Sequence, residues 1–262
     1  MEQPPLSLEE VRARIDQIDA ALLALFEERA ELARAAAQAK GTGGAAGFGL
    51  QPAREAQVLR SLLALPRKAL SGRFVVSLWR QIMGESLARQ GPFHLTVWGG
   101  RDPGPIVDMA RIRFGASPSL KAAADPAKAL AAAKVRGGVA VIALSPESAW
   151  WGRLLIERSL NVFAVLPGFG PSQPVAALAV AQIAVEPSGG DETFWVTDSP
   201  LSKAAIEEAL GQLGLAGSQM TQAGGLKLFS LAGYVQREDE RLSRAPGELK
   251  GVIGAASLPP GV

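Results

Sequence analysis

The sequence predicts a multi-domain chain: an all-α unit of three helices, then an α/β lobe, then a small α+β region of ferredoxin-like type. Three observations predict it. From Leu8 to Lys40 there is no glycine or proline, and apolar or small residues recur in alternating steps of four and three, the spacing of a seam that packs against other helices. After Pro92 short β-prone runs alternate with short helical ones, the pattern of a layered α/β fold. Beyond the loop Glu186-Pro187-Ser188-Gly189-Gly190 the order becomes strand, helix, strand, strand, strand, which suits a small α/β sandwich. These changes divide the chain into residues 1–91, 92–190 and 191–262.

The first helix has a strong start, because Ser7 and Glu10 form a capping box and Leu6 and Val11 fall where a hydrophobic staple closes. Its inward positions are Val11, Ile15, Ile18, Leu22, Leu25, Arg29, Leu32, Ala36 and Ala39. The helix stops at Gly41-Thr42-Gly43-Gly44, having run about 50 Å at 1.5 Å per residue. One chain offers nothing to cover a seam of that length, and a dimer is the simplest remedy. A second helix starts near Gln51-Pro52, with proline in the first turn, and ends at Pro66. A third runs from about Ser71 to Gln90, its stripe being Val75, Trp79, Ile82 and Met83, then Ser86 and Gln90.

In the second region, Phe93–Trp98 reads as a strand, Ile106–Phe114 as a helix, Pro126–Lys134 as a helix and Gly138–Leu144 as a buried strand. Gly152–Arg158 reads as helical and Asn161–Leu166 as a strand. In the third region, Thr193–Thr197, Gln219–Gln222, Leu226–Val235 and Gly251–Leu258 read as strands, and Ser202–Leu213 as a helix.

Composition narrows the function. With 262 residues, 48% hydrophobic and 20% charged, the chain has the make-up of a soluble globular protein. A formal net charge of +2, with no basic cluster interleaved with aromatics, points away from nucleic acid and membrane surfaces. The absence of cysteine excludes disulfides and thiol chemistry, and a single histidine argues against a metal site. No secretory signal and no membrane-spanning run is read, so the expected location is the cytoplasm and no cofactor is expected. The Gly99-Gly100 pair lacks the spacing of a dinucleotide fingerprint. His94 is read as structural, and Trp150-Trp151 as covering a core or a subunit contact.

Chemistry is expected in the helical unit. A guanidinium at Arg29, on an otherwise apolar seam, is costly unless an anion meets it. Arg29 and Lys40 share a face about 16 Å apart, close enough for two long basic side chains to close on one small dianion. Arg12 lies about 42 Å from Lys40, so it reaches the same ligand only from a partner subunit. Arg54 and Glu55 stand in the first turn of the second helix, and Ser86 and Gln90 are an i, i+4 pair on the third.

These residues carry a resemblance. The phrases Arg12-Ala-Arg-Ile-Asp-Gln-Ile-Asp19, Leu22-Leu-Ala-Leu-Phe-Glu-Glu-Arg29, Ala39-Lys40, Arg54-Glu55 and Trp79 through Ser86 to Gln90 resemble the all-helical chorismate mutases, nearest to those heading the bifunctional chorismate mutase–prephenate dehydratases. The resemblance implies an intertwined dimer that converts chorismate to prephenate in aromatic amino acid biosynthesis. It implies that Arg29, and Arg12 of the other subunit, each hold a carboxylate, with Arg54 and Ser86 completing the anion pocket. Glu55 would bind the ring hydroxyl, and Lys40 and Gln90 would donate to the ether oxygen. Gln51 stands where the family has an aspartate near that hydroxyl, so weaker substrate binding is expected.

The remaining chain resembles a shortened prephenate dehydratase lobe followed by an ACT-like regulatory domain. Trp98-Gly-Gly-Arg-Asp-Pro103 and Ala143-Leu-Ser-Pro-Glu-Ser148 stand at the dehydratase turns, while Thr193-Phe194-Trp195 lacks the arginine of its Thr-Arg-Phe signature. The extension is therefore expected to be structural or regulatory. The alternatives are a metabolite sensor dimerised by the helical unit, and a working bifunctional enzyme.

Overall fold

The computed structural model describes residues 6–39, 49–168 and 174–261. It divides into two compact units, Met1–Gly44 and Ala45–Val262.

The first unit is one helix, α1 (Leu8–Ala39). The expected capping box is present. The Ser7 hydroxyl accepts from the Glu10 amide at 3.2 Å, and the Glu10 carboxylate accepts from the Ser7 amide at 2.8 Å and from its hydroxyl at 2.8 Å. The large apolar residues of the seam are exposed, from 37% at Val11 to 63% at Leu32. Among the described residues this unit holds no second element to cover the apolar side.

The second unit begins with α2 (Pro52–Ala64) and α3 (Gly72–Gln90). Pro52 opens α2 as expected. Arg67 terminates it, donating to the carbonyl of Leu63 at 2.6 Å and to two neighbouring carbonyls, a cation on the negative end of the helix. Ser71 caps α3 by accepting from the Phe74 amide. Leu59 of α2 and Val76 of α3 pack together, with Leu63, Trp79 and Met83 around them.

The rest is built on one nine-stranded sheet. Its first half comprises β1 (His94–Trp98), β2 (Ser119–Ala122), β3 (Gly138–Ala143), β4 (Asn161–Leu166) and β5 (Ala177–Ala181). Strands β2, β1 and β3 are parallel neighbours, joined through α4 (Gly104–Phe114) and α5 (Pro126–Ala133), while β5 runs antiparallel between β3 and β4. Its second half comprises β6 (Asp191–Thr197), β7 (Gly217–Ala223), β8 (Leu226–Ala232) and β9 (Lys250–Ser257), with α6 (Lys203–Gln212) and α7 (Glu240–Ser243) between strands. The order β9-β6-β8-β7 is antiparallel throughout.

The halves meet where β4 runs beside β9 at Val162 and Gly254. Gly254 has φ +147°, and a Cβ there would run into the carbonyl of Val162, so the join depends on a missing side chain. Alternation along β3 sends Val139 and Val141 to one core with Phe93, Ile106, Phe114 and Phe163, and Ala140 and Ile142 to a second with Trp150, Trp151 and Leu154. The tryptophan pair thus covers a core. His94 is exposed at the start of β1, its Nδ1 2.8 Å from the Ser119 hydroxyl of β2.

Three local expectations are corrected. Strand β2 was not expected, because an exposed edge strand of four residues has no apolar alternation. Strand β5, Ala-Leu-Ala-Val-Ala, was not expected either. It is buried on both faces, so its composition carries no period of two. The segment expected as a helix over Gly152–Arg158 is a 3-10 helix at Trp150–Leu155.

Candidate active site

The expected site residues fall on both units. Arg12 and Arg29 lie on α1. Arg12 is exposed, whereas Arg29 is half-buried and its burial draws the guanidinium pKa below the ordinary value. Lys40 lies outside the described residues. The other expected residues, Gln51, Arg54, Glu55, Ser86 and Gln90, stand on α2 and α3 or at their ends.

In the second unit Arg54 is exposed on the first turn of α2, and Gln51 is the exposed residue before it, with no side-chain cap bond to the helix. Ser86 is buried in α3, and its hydroxyl donates to the Ile82 carbonyl at 2.8 Å. One turn on, Gln90 is half-buried with its side-chain carbonyl against Gly49, where a Cβ would collide with it. Gly49 has φ +38°, so the backbone there passes close to the amide in a conformation that favours glycine.

Glu55 points into the body of the unit. Its carboxylate accepts from Arg113 at 3.0 Å, with the two side chains only 19% and 13% exposed. Arg113 also stands over the ring of Phe114, 4.9 Å from its centroid. Beside this pair lies Arg80 of α3, 5% exposed, donating to the Gly168 carbonyl at 2.8 Å. Burial pulls its pKa down to about 9, the Arg113 charge adds to that pull, and Glu55 opposes it. Arg60, a turn beyond Glu55, donates to the Ser188 carbonyl and hydroxyl. Ser188 is in turn held by Asp191, which accepts from its hydroxyl at 2.6 Å and its amide at 2.8 Å. Glu55, Arg60, Arg80 and Arg113 all line a cavity of about 410 Å³ between α2 and the strands β4 and β9.

Reading the sequence missed Arg60, Arg80 and Arg113. Arg80 had a signal: Val76, Arg80, Gly84 and Leu87 follow each other at four, four and three, and all are buried. Arg113 had none, because its partner is distant in the chain and only the packing of α4 brings them together. The third-region threonine is structural. Thr193 donates to the Gly233 carbonyl at 2.7 Å and accepts from the Val235 amide at 2.8 Å, so its hydroxyl braces a turn. At the turns likened to the dehydratase, Arg101 and Glu147 form an exposed ion pair at 3.5 Å.

Comparison with known proteins bears on the helices. Residues 11–91 match the family model for chorismate mutase type II. A bifunctional chorismate mutase/prephenate dehydratase of Neisseria gonorrhoeae is 39% identical over 105 residues, 40% of this chain and 27% of that protein. The protein of the same description from Pseudomonas aeruginosa is 33% identical over 150 residues, 54% of this chain and 40% of that one. The chain thus spans less than half the length of either curated relative. Among solved structures, one described as GqqA, a novel type of quorum quenching acylase, covers 63% of this chain and 96% of its own at 14% identity and TM-score 0.44. A prephenate dehydratase from Streptococcus mutans covers 63% and 98% at 10% identity and TM-score 0.38. On the family match, with the two sequence relatives behind it, residues 11–91 of this chain are a chorismate mutase type II domain.

Proposed function

We propose that the chain rearranges chorismate to prephenate, in the cytoplasm and on the route to phenylalanine and tyrosine. The observation that carries this reading is the family match over residues 11–91, which spans every candidate site residue. The reaction, a Claisen rearrangement, needs no nucleophile, metal or proton relay. It needs a flexible dianion held in a reactive chair, and donors aimed at the oxygen that gains negative charge. Arg29 and the second subunit's copy of Arg12 hold the two carboxylates, Arg54 and Ser86 complete the anion pocket, and Glu55 binds the ring hydroxyl. Lys40 and Gln90 donate to the ether oxygen, and Gln51 sits beside the hydroxyl in place of an acid.

The working unit in this proposal is an intertwined homodimer. The exposed apolar residues of α1, Val11, Ile15, Ile18, Leu22, Leu25 and Leu32, support it: a second copy would cover them and bring Arg12 to the far site. Residues 92–190 then form a shortened dehydratase-like lobe and 191–262 an ACT-like domain. The antiparallel order β9-β6-β8-β7 supports a ferredoxin-like reading of the latter. Both are assigned a structural or regulatory role.

The deciding experiment is chorismate consumption by the purified full-length chain, with prephenate as the product. Absence of turnover above the uncatalysed rate refutes the proposal. One observation favours a non-catalytic sensor as the second reading. Glu55 is engaged by Arg113, and the Ser86 hydroxyl donates into its own helix, so two site groups are occupied elsewhere. That reading predicts ligand binding without turnover. A bifunctional enzyme would in addition form phenylpyruvate from prephenate.

A further inference from the structure

The cavity beside Glu55 has a composition of its own. Its walls are largely apolar, with Leu59 and Leu63 from α2, Phe163 and Val165 from β4, and Pro259 and Pro260 after β9. Three arginines, Arg60, Arg80 and Arg113, and one acid, Glu55, stand among the lining residues. A cavity of about 410 Å³ is the size of a small-molecule site, and a largely apolar cleft with a few charged groups is the usual form of one. The excess of positive charge in a poorly solvated wall favours an anion, and guanidinium pairs with carboxylate in forked geometry. Most of this wall lies outside residues 11–91. On α2 only Glu55 belongs both to it and to the expected mutase site, whose other α2 residues, Gln51 and Arg54, are exposed and do not line the cavity.

We propose that this cavity binds a small carboxylate with an apolar body, and that the ligand competes with Glu55 for Arg113. A carboxylate meeting Arg113 replaces the one that Glu55 supplies at 3.0 Å. Glu55 is then released from the body of the unit toward the ring hydroxyl of chorismate. Occupancy of the cavity therefore raises kcat/KM for the rearrangement, a coupling that rests on the mutase reading, whereas the binding itself does not.

The test is calorimetric titration of the full-length chain with phenylacetate, and with phenylacetamide, which has the same shape without the charge. The expected result is one phenylacetate per chain, bound at least tenfold more tightly than the amide. Affinity should fall about tenfold in Arg60→Gln and be lost in Ala56→Phe, which fills the cavity. Equal binding of acid and amide, no phenylacetate binding at millimolar concentration, or full binding in a folded Ala56→Phe chain would overturn the site. The comparison of acid with amide needs no variant, so it holds even if a substitution prevents folding. Chorismate turnover that does not respond to saturating phenylacetate overturns the coupling. No turnover with or without phenylacetate, alongside acid-selective binding, refutes the mutase reading and leaves the site standing.

Discussion

Arg113→Ala is the most informative single change in the α/β body. It leaves the Glu55 carboxylate, 19% exposed, facing Arg80 across a cavity instead of the guanidinium 3.0 Å away. Removing one partner of a fully buried pair costs about 3–5 kcal/mol, and an exposed pair contributes below about 1 kcal/mol. With the side chains at 13% and 19% exposure, about 2–3 kcal/mol is expected. For a unit of this size that lowers Tm by roughly 5–10 °C. The assay is a double-mutant cycle with Glu55→Ala, read by denaturant unfolding. The coupling should be about 1–3 kcal/mol and nearly independent of salt, since a pair with so little exposure is weakly screened. A coupling below about 0.5 kcal/mol, or one that vanishes in high salt, would refute the idea that this pair joins the mutase helices to the α/β body.

Lys40→Ala should lower kcat by about 10²–10³ if the ammonium stabilises charge at the ether oxygen, with the proposed dimer retained in size-exclusion chromatography; an unchanged kcat removes the assignment. Gly84→Ala should destabilise by roughly 1–3 kcal/mol, because its Cβ would collide with the Phe114 carbonyl where α3 crosses α4; thermal unfolding measures it. Glu192 is half-buried and its pKa is raised by desolvation, partly offset by the Ser230 hydroxyl donating at 2.5 Å. A raised carboxyl pKa means the ionised form is disfavoured in the fold, so stability is penalised above the folded pKa and the penalty fades as pH falls through it. Glu192→Gln should accordingly raise Tm at neutral pH, with the gain shrinking in acid; a gain that grows in acid would contradict this. Glu85 behaves oppositely. Hydrogen bonds from Ser117 and Arg89 lower its pKa, so its contribution is present above the ordinary carboxyl range and is lost as pH falls through the depressed value. Glu85→Gln should therefore flatten the acid limb of a stability–pH curve.

Local chemistry made much of the architecture legible. The Ser7–Glu10 box, Pro52 at the head of α2 and Ser71 before α3 act within one turn, and each is where the sequence implied. Strands with a clear run of β-branched or aromatic residues, such as Asn161–Leu166 and Asp191–Thr197, were equally plain. The miss at Ala177–Ala181 has a physical cause: small residues there serve two flanking strands and two cores, a demand imposed by neighbours far off in the chain.

The site divides along the same line. The sequence by itself determined which helices bear the polar set, and that Arg29 sits on an apolar seam, because helical period depends on near neighbours. The family match over residues 11–91 spans all three of those helices. Only the tertiary structure decided that Glu55 faces Arg113, that Arg80 is buried beside them, and that Arg60 reaches Ser188. Those partners lie 58 and 128 residues apart in the chain, with helices and strands between them, and charge pairing of that kind depends on which surfaces the core brings together. The sequence, a set of local preferences, holds no distance between them.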